Sequence, residues 1–439
     1  MTQENIRATE KLLEFIKPSV TAFHATAEIG KILEANGFTR LSEAAEWNLT
    51  AGGKYYVTRN NSSVIAFAIP ENAAKSFMIT ASHTDSPTFK LKNETETEAF
   101  GKYVKLNVES YGGGINSTWL DKPLSIAGRV IVRENGKIVT KLITIDRDLV
   151  LIPNVAPHQS RTVNNGQVYN NAVDMMPLLC AKAQKGALKQ LVANEAGCAV
   201  EDILCSDLYL YNRTHQSIWG IDNEFFSTPR IDNLQCAYTT LEGFLDAVNA
   251  GECKALPVYS AFDNEETGSS TKQGANSQFL FDTLTEVAKA VGTTLPKALA
   301  ASFMVSADNG HAKHPNHPEF SDGLNAPHMN EGVVIKSNAA QKYTTDALSC
   351  AIFTEICKNA GVPVQQFANR SDMGGGSTLG SISNTNVALN TVDIGLAQLA
   401  MHSAYETGGT ADTLYMIQAI AAFYRTVITS DGDGIYRVG

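Results

Sequence analysis

Histidine and carboxylate side chains recur in five separated segments of the sequence, each beside the end of a predicted strand or helix. They are His83 and Asp85, Asp232, Glu265 and Glu266, Asp308, and His402. In an open α/β sheet, ligands bind outside the carboxyl ends of the parallel strands. Because chance rarely places such residues at successive element ends, we expect the five segments to form one site.

These side chains are the ligand types of a pair of divalent metal ions, with zinc as the first choice and manganese or cobalt as alternatives. One aspartate can bridge two ions with its two oxygens, and each ion then needs one histidine and one further carboxylate. Two ions about 3.5–4 Å apart lower the pKa of a water molecule and stabilise a developing oxyanion. The pattern therefore predicts hydrolysis of a bond whose leaving group is an amine.

Two of the segments contain a carboxylate suited to a second role. Glu265 and Glu266 are adjacent, so one can bind metal while its neighbour takes the proton from water. Asp85 lies two residues after His83 and can accept the second imidazole N–H, which orients the ring. An acidic pair is usually a solvated surface feature, but this pair follows a buried-looking strand and precedes a Thr-Gly pair, which favours a site.

Three further motifs carry less weight. Histidines at 311, 314 and 317 have the spacing of a metal-binding tract, but the prolines among them favour a loop. The glycine triplets at 112–114 and 374–376 lack the strand–GxxxxGK[ST]–helix context of a phosphate-binding loop. The sequence has no GxSxG motif for a serine nucleophile, so metal-assisted hydrolysis is the best-supported chemistry.

The elements that must position these side chains alternate between strand and helix, above all after residue 229. Hydrophobic periodicity predicts strands at 55–58, 64–69, 77–80, 256–262, 302–306, 333–336, 364–367 and 387–392, and helices at 234–250, 278–291, 346–359 and 412–427. Two amphipathic helices are predicted within residues 1–37. This alternation predicts an α/β fold with a mainly parallel sheet and helices on both faces.

A β-rich insertion interrupts this pattern between residues 92 and 228. Two-residue alternation, as in GRVIVRENGKIVTKLITI, predicts strands, and the Glu-Asn-Gly at 134–136 predicts a hairpin turn. Residues 154–200 are polar and only weakly periodic. We therefore predict a discontinuous catalytic domain of residues 1–91 and 229–439, and an inserted domain of residues 92–228.

The composition excludes several classes of protein. The 439 residues are 44% hydrophobic and 18% charged, which is the balance of a globular protein rather than a disordered one. A net charge of −10 disfavours nucleic acid and anionic membranes as partners. The seven cysteines include no CxxC pair, and neither a signal peptide nor a membrane span is visible, so we expect a cytoplasmic protein.

The five segments carry longer motifs that follow one another in a defined order. They are HTDSP at 83–87, IDN at 231–233, DNEETGSS at 263–270, SADNGHAKHPN at 306–316 and AMHSAYE at 400–406. Together they resemble the aspartyl aminopeptidase family of dinuclear zinc peptidases, over nearly the whole chain. The resemblance implies a catalytic domain interrupted by a β-rich oligomerisation domain, and a homo-oligomer that is a tetrahedral dodecamer built from dimers.

Carried over by motif, the resemblance gives each candidate ligand a role. It implies two metal ions, one bound by His83 and Asp308, the other by Glu266 and His402, and both bridged by Asp232. Glu265 is then implied to be the general base.

Family members also use a histidine from the insertion of the neighbouring subunit. In IPNVAPHQSR the matching position is His158, while Asn154 stands where many relatives carry another histidine. We therefore expect His158 to enter a neighbour's active site and to contact the substrate carbonyl or the developing oxyanion.

Other residues match the family's substrate pocket. Lys336 in VVIKSN matches a basic residue there, and the alternative is a lysine that extends toward solvent beside an apolar strand. The segment 369–380, including Asp372 and Gly374, resembles the glycine-rich substrate loop apart from its Met-Gly-Gly run.

The combined hypothesis is a metalloaminopeptidase that removes one N-terminal residue from peptide substrates, with a preference for acidic residues suggested by the family name. One alternative is a deacylase or aminoacylase on a related dinuclear scaffold, which would use the same ligands and differ in its pocket for the α-amine. Another is a non-catalytic oligomeric scaffold, which the presence of Glu265 and all five ligands disfavours.

Overall fold

The computed structural model describes residues 1–181, 186–376 and 378–439. Within these residues the α-helices, in chain order, are α1 (Gln3–Ile16), α2 (Ala22–Ala35), α3 (Ala187–Ala196), α4 (Ile231–Ala250), α5 (Phe279–Ala290), α6 (Leu295–Leu299), α7 (Ala347–Asn359), α8 (Leu379–Ser383) and α9 (Thr410–Arg425). No helix in the described part of the chain is both long enough and apolar enough to cross a membrane.

The strands of the amino-terminal half lie between residues 39 and 228. They are β1 (Thr39–Arg40), β2 (Lys54–Arg59), β3 (Ser63–Ala68), β4 (Ala74–His83), β5 (Thr88–Ala99), β6 (Tyr103–Tyr111), β7 (Leu124–Glu134), β8 (Lys137–Thr144), β9 (Leu178–Cys180), β10 (Ile203–Asn212), β11 (Ser217–Trp219) and β12 (Phe225–Thr228).

The remaining strands follow α4. They are β13 (Ala255–Phe262), β14 (Phe303–Ala307), β15 (Gly310–His311), β16 (Val333–Ser337), β17 (Val364–Ala368), β18 (Asn390–Gly395), β19 (Ala397–Leu399), β20 (Glu406–Gly409), β21 (Ile428–Gly432) and β22 (Ile435–Val438).

A nine-stranded sheet forms the centre of the α/β part, in the order β1-β2-β3-β13-β4-β14-β18-β16-β17. Its four middle strands, β13, β4, β14 and β18, are mutually parallel. Every residue of β13 and of β14 is buried, as expected for strands covered on both faces. The predicted mainly parallel sheet is confirmed, and the middle strands present their carboxyl ends at one edge.

Helices cover both faces of this sheet, as predicted. One face packs against α1, α2, α4, α7 and α9 in a core that includes Leu12, Leu234 and Phe423. The other face packs against α5, α6 and α8 through residues such as Phe279 and Leu379. Because β-strand side chains alternate between faces, neighbours in one strand such as Ile65 and Ala66 enter opposite cores.

A second sheet is antiparallel and has its own core. Its order is β8-β7-β10-β5-β6-β9, and Leu106, Ile126 and Leu210 lie in the core that packs against α3. A third sheet, β11-β12-β20-β19-β15, combines strands from before and after α4. The predicted division into residues 1–91 with 229–439 and residues 92–228 stays a prediction, and β5 spans its first boundary.

One predicted strand has the wrong bounds, and one weakly periodic stretch contains a helix. The strand expected at 387–392 is β18, which begins at Asn390, because the Val387 side chain packs in the core beside α8 after a turn that bonds back to Ser383. The weakly periodic stretch 154–200 contains α3, whose apolar stripe recurs every four residues at Leu188, Val192 and Ala196. Residues 182–185 of that stretch lie outside the described residues.

Candidate metal centre

Three neighbouring strands bring four of the predicted site residues to one edge of the main sheet. His83 is the last residue of β4, and Asp308 directly follows β14. Glu265 and Glu266 lie in a short 3₁₀ turn, Glu265–Thr267, that follows β13. Because β13, β4 and β14 run parallel, these side chains meet where the strands end.

Asp232 and His402 reach the same place from other directions. Asp232 lies at the start of α4, where it and Asn233 lack helical backbone angles and are joined by a cis peptide bond. His402 lies in the loop between β19 and β20, two strands that pair antiparallel. The structure therefore brings together all five predicted ligands.

The five side chains form two halves that share Asp232. In one half, His83 Nε2 lies 3.3 Å from Asp232 Oδ1 and 3.6 Å from Asp308 Oδ1. In the other, His402 Nε2 lies 3.3 Å from Asp232 Oδ2 and 3.5 Å from Glu266 Oε2. Each half thus contains one histidine, one carboxylate of its own and one oxygen of Asp232.

The second nitrogen of each imidazole is already engaged. His83 Nδ1 lies 3.1 Å from the carbonyl oxygen of Asp85 and 3.3 Å from its Oδ1. His402 Nδ1 lies 3.0 Å from the carbonyl oxygen of Gly113. Since a carbonyl oxygen only accepts hydrogen bonds, both Nδ1 atoms donate, and both Nε2 atoms are left facing the carboxylates.

Burial and neighbouring charges together shift the pKa values of these groups. Burial raises the pKa of Glu265 to about 8 and the pKa of Glu266 well above its usual range, and nearby carboxylates add to the effect. Burial opposes ionisation of Asp232 as well, but the two histidines outweigh it and lower the pKa of this carboxyl group. Despite burial, surrounding carboxylates raise the pKa of His83, and they raise the pKa of His402 to about 10.

The donor atoms fit a pair of divalent cations. Asp232 Oδ1 and Glu266 Oε1 are buried without a hydrogen-bond partner in the described part of the chain, and the 3.3 Å contact of Oδ1 with His83 is an ion-pair distance only. Two ligand atoms at about 2.1 Å from one tetrahedral zinc ion lie about 3.4 Å apart, close to the separations in both halves. The ligand atoms of His83, Asp232 and Glu266 also lie within 4.8 Å of one another.

Asp85 connects His83 to the turn that carries the two glutamates. Its Oδ1 accepts the backbone N–H of Glu265, and its Oδ2 accepts that of Glu266, each at 3.2 Å. Oδ2 also accepts the hydroxyl of Tyr111 at 2.7 Å. Asp85 therefore contacts the His83 ring, with its backbone carbonyl as the hydrogen-bond acceptor and its carboxylate at an ion-pair distance, and also holds the turn.

Glu406 is a site residue that sequence reasoning missed. Its buried carboxylate accepts the backbone N–H of His402 at 2.8 Å and that of Asp232 at 3.1 Å. Burial and the charge of Asp232 raise its pKa to about 8. It is the last residue of the motif AMHSAYE, and this position was the one signal that could have identified it.

Lys336 is buried, and its ammonium group faces the metal centre. Nζ lies 3.8 Å from Asp308 Oδ2 and donates to the carbonyl oxygen of Asn309 at 3.0 Å. Because the side chain is only 3% exposed, a lysine extended toward solvent does not describe it. His311, expected in a loop, lies on β15.

The structure does not bring the other predicted substrate residues to the centre within this chain. His158 lies in an exposed turn, and its side chain has no hydrogen-bond or ion-pair partner among the described residues. Asp372 is exposed and forms an ion pair with Arg370 at 2.7 Å. Gly374 has open space beside it, and Ser377 of the same loop lies outside the described residues.

Comparison with known protein families finds one match that covers most of the chain. A sequence model described as "Aminopeptidase I zinc metalloprotease (M18)" matches residues 15–424. A "Probable M18 family aminopeptidase 2" of Clostridium acetobutylicum is 44% identical over 433 residues, which cover 96% of this chain and 99% of that relative.

Solved structures show the same similarity in three dimensions. A chain in the cryo-electron microscopy structure of the Ape4 and Nbr1 complex is 32% identical and has a TM-score of 0.93, covering 97% of this chain and 87% of that chain. The S. cerevisiae mApe1 dodecamer is 26% identical, with a TM-score of 0.85, and the match covers 97% of this chain and 98% of that one.

Proposed function

This chain belongs to the aminopeptidase I family of zinc metalloproteases and is a zinc aminopeptidase, and we propose that two metal ions and Glu265 carry out its reaction. The observation that carries the proposal is the position of Asp232, which presents one carboxylate oxygen to each of two histidine–carboxylate halves. Zinc is the first choice for both ions, and manganese or cobalt could replace it at one site.

Each half of the centre would hold one ion. His83 and Asp308 would bind the first ion. Glu266 and His402 would bind the second ion, and Asp232 would bind both. Imidazole nitrogens and carboxylate oxygens are both zinc ligands, and the two unpartnered buried oxygens on Asp232 and Glu266 support the assignment. When bound, such a pair of ions polarises an attacking water and the scissile carbonyl.

Glu265 is the proposed general base. It lies beside Glu266 in the same turn, and the charges of His83, Asp308 and Asp232 are near enough to affect its pKa. Its carboxylate takes the proton from the attacking water and then donates it to the departing amine. Asp85 holds the turn through the Glu265 amide, which keeps the carboxylate in place for both transfers.

The bridging role of Asp232 leads to a metal-binding prediction. Asp232→Asn should lower the content of both ions, because the amide nitrogen cannot replace the second oxygen ligand. Glu266→Gln should mainly weaken one ion, because Glu266 faces only the His402 half. Elemental analysis of the purified variants at matched protein concentration measures both effects. Equal loss of a single ion in the two variants would contradict the bridging role.

The proposed substrates are peptides with a free, acidic N-terminal residue. The buried ammonium of Lys336 beside Asp308 is the described cation best placed to pair with an acidic side chain. A charge-assisted contact contributes about 1.5–3 kcal/mol, so kcat/KM should be about 10–100-fold higher for an aspartyl than for an alanyl substrate. An N-acetylated aspartyl peptide should not be cleaved, because the reaction releases a residue with a free amine.

This substrate panel separates the alternatives. Lys336→Met with unchanged metal content should abolish the acidic preference and leave alanyl cleavage in place. Faster cleavage of the N-acetylated peptide would favour the deacylase alternative. An unchanged aspartyl-to-alanyl ratio in the Lys336→Met variant would remove Lys336 from the specificity pocket.

We also propose that the chain forms a homo-oligomer, with the predicted tetrahedral dodecamer as the arrangement. The S. cerevisiae mApe1 structure that it resembles is a dodecamer. In such an assembly His158, exposed on its own chain, would complete the active site of a neighbour. The cytoplasmic location predicted from the sequence remains part of this proposal.

A further inference from the structure

Residues 111–115 belong to the predicted β-rich insertion and pack against the candidate metal centre. The segment, Tyr-Gly-Gly-Gly-Ile, begins at the last residue of β6 and precedes the 3₁₀ turn Asn116–Trp119. The reaction proposed above uses none of its groups. Its contacts nevertheless fall on residues of the centre, and they are concentrated on one of the two halves.

His402 is held by this segment at two points. Its Nδ1 donates to the carbonyl oxygen of Gly113 at 3.0 Å, and its own carbonyl oxygen accepts the N–H of Ile115 at 2.9 Å. The first contact fixes which imidazole nitrogen faces the carboxylates, and the second fixes the backbone that carries the ring. The first contact joins residues 289 positions apart in the sequence.

Glu266 lies against the same segment at Gly112. A Cβ added to Gly112 would lie 3.0 Å from Cβ of Glu266 and 3.2 Å from its Oε2. Gly112 also has a φ of +72°, a conformation that favours glycine. The positive φ favours glycine, and a side chain here must shift Glu266 by about a few tenths of an ångström.

Tyr111 reaches Glu266 through Asp85. The Tyr111 hydroxyl donates to Asp85 Oδ2 at 2.7 Å, and the same oxygen accepts the N–H of Glu266. The hydroxyl in turn accepts from the side-chain amide of Asn264 at 2.8 Å, which fixes its direction. Tyr111 thus acts on the Glu266 turn without facing the ions.

We propose that residues 111–115 of the insertion position the His402–Glu266 half of the metal centre. The inference rests on the proposed function, because it assumes that this half binds one of two ions. Within the described residues the segment contacts His402 directly and Glu266 by packing and through Asp85 Oδ2, whereas it reaches the other half only at His83, through Oδ1 of the same Asp85, and not at Asp308. Damage to the segment should therefore weaken one ion selectively.

The matched pair Gly112→Ala and Gly136→Ala tests the proposal. Both glycines lie in the insertion with nearly equal φ values, +72° and +74°, but a Cβ at Gly136 meets nothing within 4 Å. The two variants therefore share the backbone strain, and only the first displaces Glu266. Chelator competition with zinc should show one ion bound about 10–100-fold more weakly in Gly112→Ala, with the other ion unchanged. Gly136→Ala should bind both ions as the unmodified chain does.

A second pair of variants tests the same proposal without straining the backbone. Tyr111→Phe removes the hydroxyl that contacts Asp85, while Tyr209→Phe removes one that makes no hydrogen bond within the described residues, from a ring packed on Tyr111 at 5.6 Å. Tyr111→Phe should weaken mainly the ion of the His402–Glu266 half, because the lost hydroxyl contacts Asp85 Oδ2, which holds the Glu266 amide, whereas His83 lies against Oδ1. Tyr209→Phe should leave the binding of both ions unchanged. If Gly112→Ala fails to fold, as judged by circular dichroism and thermal melting, the tyrosine pair tests the proposal instead. The criterion is again selective weakening of one ion in chelator competition.

The outcomes separate this inference from the proposed function. Two bound ions in the unmodified chain, with one weakened in Gly112→Ala or Tyr111→Phe, support the positioning role. Unchanged binding of both ions in these variants, or equal weakening of both ions, overturns it and leaves the two-ion centre standing. Fewer than two ions in the unmodified chain overturn the proposed function and the inference together.

Discussion

Glu265→Gln is expected to lower kcat by about 10²–10⁴-fold while both metal ions stay bound. Glutamine has nearly the same shape as glutamate, but its amide cannot accept the proton that the attacking water must lose. Glu265 has no ion-pair contact with His83 or His402 in the described structure, whereas its neighbour Glu266 lies 3.5 Å from His402. The measurement is steady-state turnover of an aminoacyl substrate, with the metal content determined on the same sample.

Glu266→Gln, the same substitution at the next residue, provides the control. Glu266→Gln should lose metal and activity together, while Glu265→Gln should lose activity alone. Turnover of Glu265→Gln within a few-fold of the unmodified protein, with metal confirmed, would exclude Glu265 as the base. Absence of turnover in the unmodified, metal-loaded protein across the substrate panel would instead support the scaffold alternative.

His158→Ala is expected to lower turnover by about 10²–10³-fold, the effect of removing one preorganised donor to a developing oxyanion. The side chain is exposed and has no hydrogen-bond or ion-pair partner among the described residues of its own chain, so its removal should not destabilise the subunit. His215, another exposed histidine of the predicted insertion, provides the matched control, and His215→Ala should keep full activity.

Mixing shows whether His158 acts on a neighbouring subunit. His158→Ala and Glu265→Gln homo-oligomers should each be nearly inactive. Hetero-oligomers assembled from both should regain activity, because some sites then combine an intact Glu265 with an intact His158 from another chain. No recovery in verified mixed assemblies, or full activity of the His158→Ala homo-oligomer, would contradict the shared site.

The types and order of the candidate ligands could be predicted from the sequence because parallel strands follow a simple geometric rule. Buried strands such as β13 and β14 appear as mostly apolar runs, and their ends are marked by the polar residues that follow. Residues after such strands share one sheet edge whatever the length of chain between them. His83, Glu266 and Asp308 could therefore be grouped before their distances were known.

Element boundaries were less predictable where apolar side chains serve a turn or a short helix. Val387 belongs to a buried turn rather than to the strand that begins at Asn390, and hydrophobicity alone does not separate the two cases. The stripe of α3 is short and starts after a glycine, so it gave little periodic signal. Local propensity cannot decide such positions, because the burial that stabilises them comes from distant parts of the chain.

Only the tertiary structure decided how the ligands are held. The carbonyl oxygen of Gly113, the hydroxyl of Tyr111 and the carboxylate of Glu406 orient His402, Asp85 and Asp232. A backbone carbonyl has no sequence signature, and a tyrosine or glutamate near a motif is common without such a contact. The sequence determined which side chains could bind metal, because that depends on residue type and on strand ends. Packing between distant segments decided which of their atoms face one another in the candidate centre, because hydrogen bonds to backbone groups depend on three-dimensional proximity alone.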